Sequence, residues 1–280
     1  MEIIINKTFD NERALYGSEN VCLNNCRFEG EADGESALKE SNNVLVEGCF
    51  FDLRYPFWHV DELTVAESEM TSKCRAPIWY SKNVKIEKCK INGVKAIREC
   101  SDVEIYECQI ASAELCWLSA NIKICRSNIE SEYFMLHSKN IELSEVTLSG
   151  KYSFQYVKDA VIEDCSFNTK DAFWHAKNVI VRNSVIKGEY FGWYSDNLTL
   201  ENCKIIGTQP LCYCKNLTLI DCEMLEADLS FEKSDVTATL VAPIVSIKNP
   251  ARGTIRVPSC GEIIKDDENS TCQIIHPLKD

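Results

Sequence analysis

The sequence predicts an all-β chain, a β-solenoid of about a dozen 19-residue coils with three short strands in each. Three observations carry that prediction. An asparagine or aspartate recurs every nineteen residues, at Asn83, Asp102, Asn121, Asn140, Asp159, Asn178, Asn197, Asn216 and Asp235. Apolar side chains stand at fixed offsets from it, and no stretch shows the 3.6-residue stripe of an amphipathic helix. Upstream the register passes through Glu62, Asn43 and Asn20 to Met1, with two longer steps. Those steps place loops of unequal length near Glu29–Gly34 and Thr71–Lys73.

The elements follow in order from the marker. Val84 and Ile86, Val103 and Ile105, and Val179 and Val181 stand one and three residues after it, and the residue between is often polar, as at Lys85 and Glu104, which is the alternation of a half-buried strand. Six residues after the marker comes a small corner residue: Cys26, Cys49, Ser68, Cys89, Cys108, Ser127, Val146, Cys165, Ser184, Cys203 and Cys222. Stacked coils would turn these into a buried ladder, the expected place for many of the sixteen cysteines. Neighbouring thiols such as Cys89/Cys108 and Cys203/Cys222 also raise metal or redox chemistry. Serine and valine replace cysteine freely along the column, and no paired C-x-x-C exists, so neither metal nor cofactor is expected. A second strand centres on an apolar residue eight after the marker, as at Ile91, Ile110, Phe167 and Ile205. Gly93, Gly150, Gly188 and Gly207 follow two residues later at a tight turn. The marker column itself reads as an asparagine ladder.

The third strand holds an aromatic cluster. Four residues before the marker stand all five tryptophans of the chain, Trp58, Trp79, Trp117, Trp174 and Trp193, interrupted by Lys39, Arg98 and Gln155. One residue later come His59, Tyr80, Glu99, His137, Tyr156, His175, Tyr194 and Tyr213. The column before the tryptophans is apolar (Phe57, Ile78, Ile97, Phe154, Phe173), so alternation turns the tryptophans outward. This predicts a ligand-binding strip of Trp58, His59, Trp79, Tyr80, Trp117, His137, Tyr156, Trp174, His175, Trp193, Tyr194 and Tyr213, its flat rings suited to stacking on sugars of an oligo- or polysaccharide. The competing readings are a carbohydrate-active hydrolase or lyase using Arg98 and Glu99 as catalytic groups beside the histidines, and a scaffold rod that binds partners or a second copy of itself. No paired catalytic carboxylates stand on adjacent coils of the strip, which leaves enzymatic activity uncertain.

Composition narrows the partners. With 43 acidic against 30 basic side chains, the chain is a poor ligand for nucleic acid or an anionic membrane. Nothing at the start reads as a secretory signal, so a cytoplasmic location is expected, which argues against a disulfide scaffold for the sixteen cysteines. The expected organisation is a β-helix over 1–245 and a capping segment over 246–280, where Pro258 and Lys265–Glu268 would protect the open edge.

The phrases "ERALYG", "LKESNNV", "RYPFWH", "TKDAFWHAKNV", "GEYFGWYSDN", "LCYCKNLTL" and "SIKNPARGTI" resemble, along nearly the full length, a bacterial family known as domain of unknown function 3737. The resemblance implies a single-stranded right-handed parallel β-helix of the pectin-lyase-like group. It implies no activity and no catalytic residue.

Overall fold

The computed structural model describes residues 1–276 and resolves into two compact units, Met1–Glu142 and one beginning at Leu143. Among the described residues there is no helix, and the chain is a β-solenoid of parallel strands. In the first unit six-residue strands such as Lys82–Glu87, Ser101–Tyr106 and Ala120–Cys125 stack in register, with Val84 beside Val103 and Val103 beside Ile122. The longer steps fall where expected: Val21 pairs with Val44 and Leu63 with Val84. In the second unit Val179 lies beside Leu198 and Leu200 beside Leu219. Shorter strands build the second side, for example Lys90–Ile91 on Gln109–Ala111 and Ser166–Lys170 on Val185–Lys187.

The third side differs between the units. In the first it is a ladder of two- to four-residue strands, Phe57–Trp58, Ile78–Trp79, Ala96–Arg98, Glu114–Trp117 and Tyr133–Phe134. In the second it is a run of turns, with alternate residues in left-handed backbone, as Lys95, Ile97 and Glu99 also are in the first: Tyr152, Phe154 and Tyr156 in one coil, Asp171, Phe173 and His175 in the next.

Left-handed corners explain the columns. Asn83, Lys88 and Tyr80 all have φ near 50°, as do their equivalents up and down the stack. Each such residue reverses the direction of its N–H. Strand residues donate to the preceding coil, as Ser101 does to Ser81, whereas corner residues donate to the following one, as Tyr80 does to Arg98 and Glu107 to Cys125. The left-handed form costs an L-residue about 1–2 kcal/mol, least for Asn and Asp. That preference selects the marker residues, and their amides then bond along the column: Asn121 Nδ2 to Asp102 at 2.8 Å, Asn178 Nδ2 to Asp159 at 2.8 Å.

The core is filled by the inward members of each strand and by phenylalanines in columns. Phe28 stacks on Phe51 at 4.6 Å in the first unit, and Phe154 on Phe173 at 4.4 Å in the second. All sixteen cysteines are free and thirteen are buried. At the corner six after the marker, each thiol or hydroxyl accepts from the backbone N–H of the equivalent residue one coil back, as Cys108 does from Cys89 and Ser127 from Cys108. It donates in turn to the carbonyl two residues before it. A second ladder of small residues, two before the marker, works alike: Ser81 accepts from Val60, Ser119 from Cys100 and Ser138 from Ser119. Branched side chains would leave those N–H groups unbonded. Among the described residues no group of His, Cys, Asp or Glu is placed to hold a metal ion.

Residues 246–280, expected as an edge cover, contribute paired strands as far as Ile275: Arg252–Arg256 pairs with Asp235–Leu240, Gln273–Ile275 with Arg252–Arg256, and Cys260–Ile264 with Ile244–Lys248. The last part of that segment, 277–280, lies outside the described residues. Pro258 and Lys265–Glu268 fall between these strands in the chain.

Candidate functional site

The nineteen-residue register brings the predicted strip residues of each unit into columns. In the first unit Trp58 pairs with Trp79, Trp79 with Arg98 and Arg98 with Trp117. Trp58 and Trp79 stack at 5.3 Å and 14°. The Arg98 guanidinium lies 6.0 Å over the Trp79 ring and 5.3 Å over Trp117, and it bonds Glu99 at 3.3 Å and Glu114 at 3.4 Å. Its role in the column is that of a cation set between two indoles and held by two carboxylates. His59 bonds Glu40 through Nδ1 at 3.0 Å and meets Tyr80 edge to face at 5.1 Å. His137 is exposed in the same column.

The second unit carries the more regular array. Tyr156, His175, Tyr194 and Tyr213 form a continuous ladder, with ring centroids 4.8, 5.0 and 4.9 Å apart and planes within 9–12° of parallel. Tyr156 and Tyr194 are 42% and 44% exposed, so the ladder faces water. Trp174 and Trp193 stack beside it at 5.5 Å and 7°. Burial, and after it the Glu232 carboxylate, pushes the Tyr213 phenol above its ordinary range. Glu232, whose carbonyl accepts from the Tyr213 N–H, is paired with Lys248 at 3.1 Å.

Two expectations change with this geometry. The tryptophans are half-buried, not the outermost residues. Their indoles lie against the next coil, with Nε1–H of Trp117, Trp174 and Trp193 donating to the carbonyls of Tyr133, Tyr190 and Gln209 at 2.7 Å. The neighbouring His/Tyr column is the exposed one, because each of its members sits at a left-handed corner where strict in–out alternation lapses. Ring faces are also not free for sugars along the array, since each ring of the ladder covers the next. What the surface presents is a row of ring edges, phenol hydroxyls and imidazole nitrogens, one set per coil.

Sequence reasoning missed Gln155, whose Nε2 donates to Asp171 at 3.1 Å in the way the indoles do, and Lys39, which lies 4.1 Å over the Trp58 ring. Both stand in the tryptophan column, and that shared column was the available signal.

The chain matches, over residues 2–275, the model of a family described as a protein of unknown function (DUF3737). Nothing among the curated proteins matches it. Solved structures similar to it include a mannuronic acid specific polysaccharide family 6 lyase from human gut microbiota, at 8% identity, TM-score 0.42, covering 99% of this chain and 86% of that one. Another is PfbA, a surface adhesin of Streptococcus pneumoniae, at 13% identity, TM-score 0.35, covering 85% and 70%.

Proposed function

The chain belongs to the DUF3737 family, and from its geometry we propose that it is a binding protein whose exposed His/Tyr ladder holds an extended, hydroxyl-rich ligand of the glycan class lying along the stack. The single observation that carries this reading is the four-ring ladder of Tyr156, His175, Tyr194 and Tyr213. Core filling does not require polar-tipped rings at an exposed corner. A ladder of parallel edges with one polar tip per coil offers hydrogen bonds at a fixed rise of just under 5 Å, the spacing of the strands beneath. An extended sugar chain also presents hydroxyls and C–H groups at a regular rise, and it meets ring edges and polar tips without needing a free ring face. The acidic composition favours a neutral ligand here over a polyphosphate. Sixteen free thiols support placing the protein in the cytoplasm.

The test is a titration of the full chain with neutral oligosaccharides of several linkages, followed by tryptophan and tyrosine fluorescence and by calorimetry. Binding should be lost in Tyr194→Ala and weakened in Tyr194→Phe, which keeps the stack and removes the hydroxyl. Unchanged binding in both variants, or none by any sugar of the panel, ends the reading. The enzymatic alternative rests on Arg98 and Glu99, and it requires that substitution of either abolish a measured glycan cleavage.

A further inference from the structure

One strand of the first unit is paired on a single edge. Glu2–Ile5 lies beside Glu19–Asn24, with Ile4 next to Leu23, and among the described residues its other edge is open. The corner that ends it fixes which backbone groups face that opening. Asn6 donates to the Asn24 carbonyl of the following coil at 3.0 Å. The same trans peptide points the Ile5 carbonyl the opposite way, toward the open edge. Alternation along the strand then turns the N–H and C=O groups of both Ile5 and Ile3 to that edge, and leaves Glu2 and Ile4 bonding the following coil.

The second side of the coil repeats the opening. Arg27 and Glu29 donate to the Lys7 and Phe9 carbonyls at 2.8 and 3.0 Å, whereas Thr8 and Asp10, their counterparts one coil earlier, have no coil before them. The core is cut at the same place. The phenylalanine column ends at Phe9, which stacks on Phe28 at 5.1 Å and is only half-buried. Side chains add to this. Met1 and Ile3, at 63% and 66%, are more exposed than any other large apolar residue described, and Ile5 follows at 53%.

Open edges are normally blunted by charge, by a bulge or by a cover. This one has a sequence that complements itself. Set antiparallel about a two-fold axis at Ile4, Ile3 of one copy falls opposite Ile5 of the other. Those are the two residues whose N–H and C=O groups are free, so they exchange both hydrogen bonds at each of two places. Their exposed side chains become neighbours across the join, and the inward Ile4 of each copy meets its equivalent. Glu2, the one charged residue of the strand, falls opposite the amide of Asn6.

We propose that the Glu2–Ile5 edge is the interface for a second copy of this chain, joined two-fold by antiparallel pairing of Ile3 with Ile5. Each copy has one such edge, so the assembly closes at two. The contact is one coil against one coil, and a small interface gives a concentration-dependent equilibrium. It uses no residue of the His/Tyr ladder and stands or falls separately from the glycan reading.

The experiment is sedimentation of the full chain over a range of concentrations, with no residue added before Met1. The mass should rise reversibly from one chain to two and stop there. Hydrogen exchange at the Ile3 and Ile5 amides should slow as concentration rises, while the Asn6 amide, already bonded to Asn24, keeps its rate. The double variant Ile3→Lys/Ile5→Lys puts exposed ammonium groups on both sides of the join and should remain a single chain throughout, with the melting temperature of the dilute parent. A single-chain mass at every concentration, growth beyond two, a dimer that survives the double variant, or exchange at Ile3 and Ile5 that ignores concentration overturns the proposal. The exchange measurement needs no variant to fold.

Discussion

Tyr194 offers a perturbation in which the backbone and the side chain pull in opposite directions. Its ring stacks on His175 at 5.0 Å and on Tyr213 at 4.9 Å, and its φ is 59°. Removing the ring forfeits two aromatic contacts, each worth about 0.5–1.5 kcal/mol beyond area, so Tyr194→Ala should cost about 1–3 kcal/mol. Alanine keeps the left-handed strain. Tyr194→Gly loses the same contacts but relieves a penalty of about 1–2 kcal/mol, while glycine's greater freedom in the unfolded chain returns about 0.5–1 kcal/mol of it. The glycine variant should therefore be the more stable of the two, by up to about 1.5 kcal/mol, although glycine in a strand interior is ordinarily the worse choice. Tyr194→Phe should lie close to wild type. The assay is urea denaturation followed by far-ultraviolet circular dichroism, with hydrogen exchange of the Tyr194 amide, which bonds the Cys212 carbonyl, as the local readout. If glycine proves the more destabilising, the left-handed corner is not what shapes this column.

Three further outcomes follow from the packing. Gly188 admits no Cβ, because one built there would stand 1.9 Å from the Thr169 carbonyl oxygen, so Gly188→Ala should cost about 3 kcal/mol or unfold its coil, as read by denaturation and exchange. Burial pushes the Cys100 thiol up to about 12 and Cys49 to about 11, so a thiol reagent at pH 8 should label at most the three partly exposed cysteines, Cys22, Cys125 and Cys260, in the native protein. Burial would raise the Asp52 carboxyl, but hydrogen bonds from Lys73, at 2.7 Å, and from Thr71 outweigh it and hold the group below the ordinary carboxylate range. A depressed carboxyl stabilises the fold above its unfolded pKa and loses that contribution as pH falls through its folded one. The insertion around Thr71–Lys73 should thus loosen below about pH 4, with faster exchange at Cys74, whose N–H bonds Thr71.

Much of this fold was legible because a parallel stack converts sequence distance into contact. A step of nineteen between Trp79 and Arg98 and between Arg98 and Trp117 is the register in which they pair. The asparagine column and the Cys/Ser corner were readable for the same reason. Ring orientation was not, because it depends on backbone handedness at single residues. Counting by twos puts Trp174 outside and His175 inside. At φ 55° His175 instead turns out to solvent beside it, and the indole lies down on the next coil to reach a carbonyl. The pairing beyond Val236 was hidden by a shortened step of seventeen, Val236 to Gly253, which breaks the count without breaking the stack.

The central claim is that the exposed ladder of the second unit is a binding surface and more than a stabilising column. Chemical-shift mapping of the ¹⁵N-labelled chain with a neutral oligosaccharide tests it most directly. Coherent, saturable shifts at Tyr156, His175, Tyr194 and Tyr213 are the predicted result, and they should vanish in Tyr194→Ala while the variant remains folded. Saturable shifts confined to another side of the coils would contradict it.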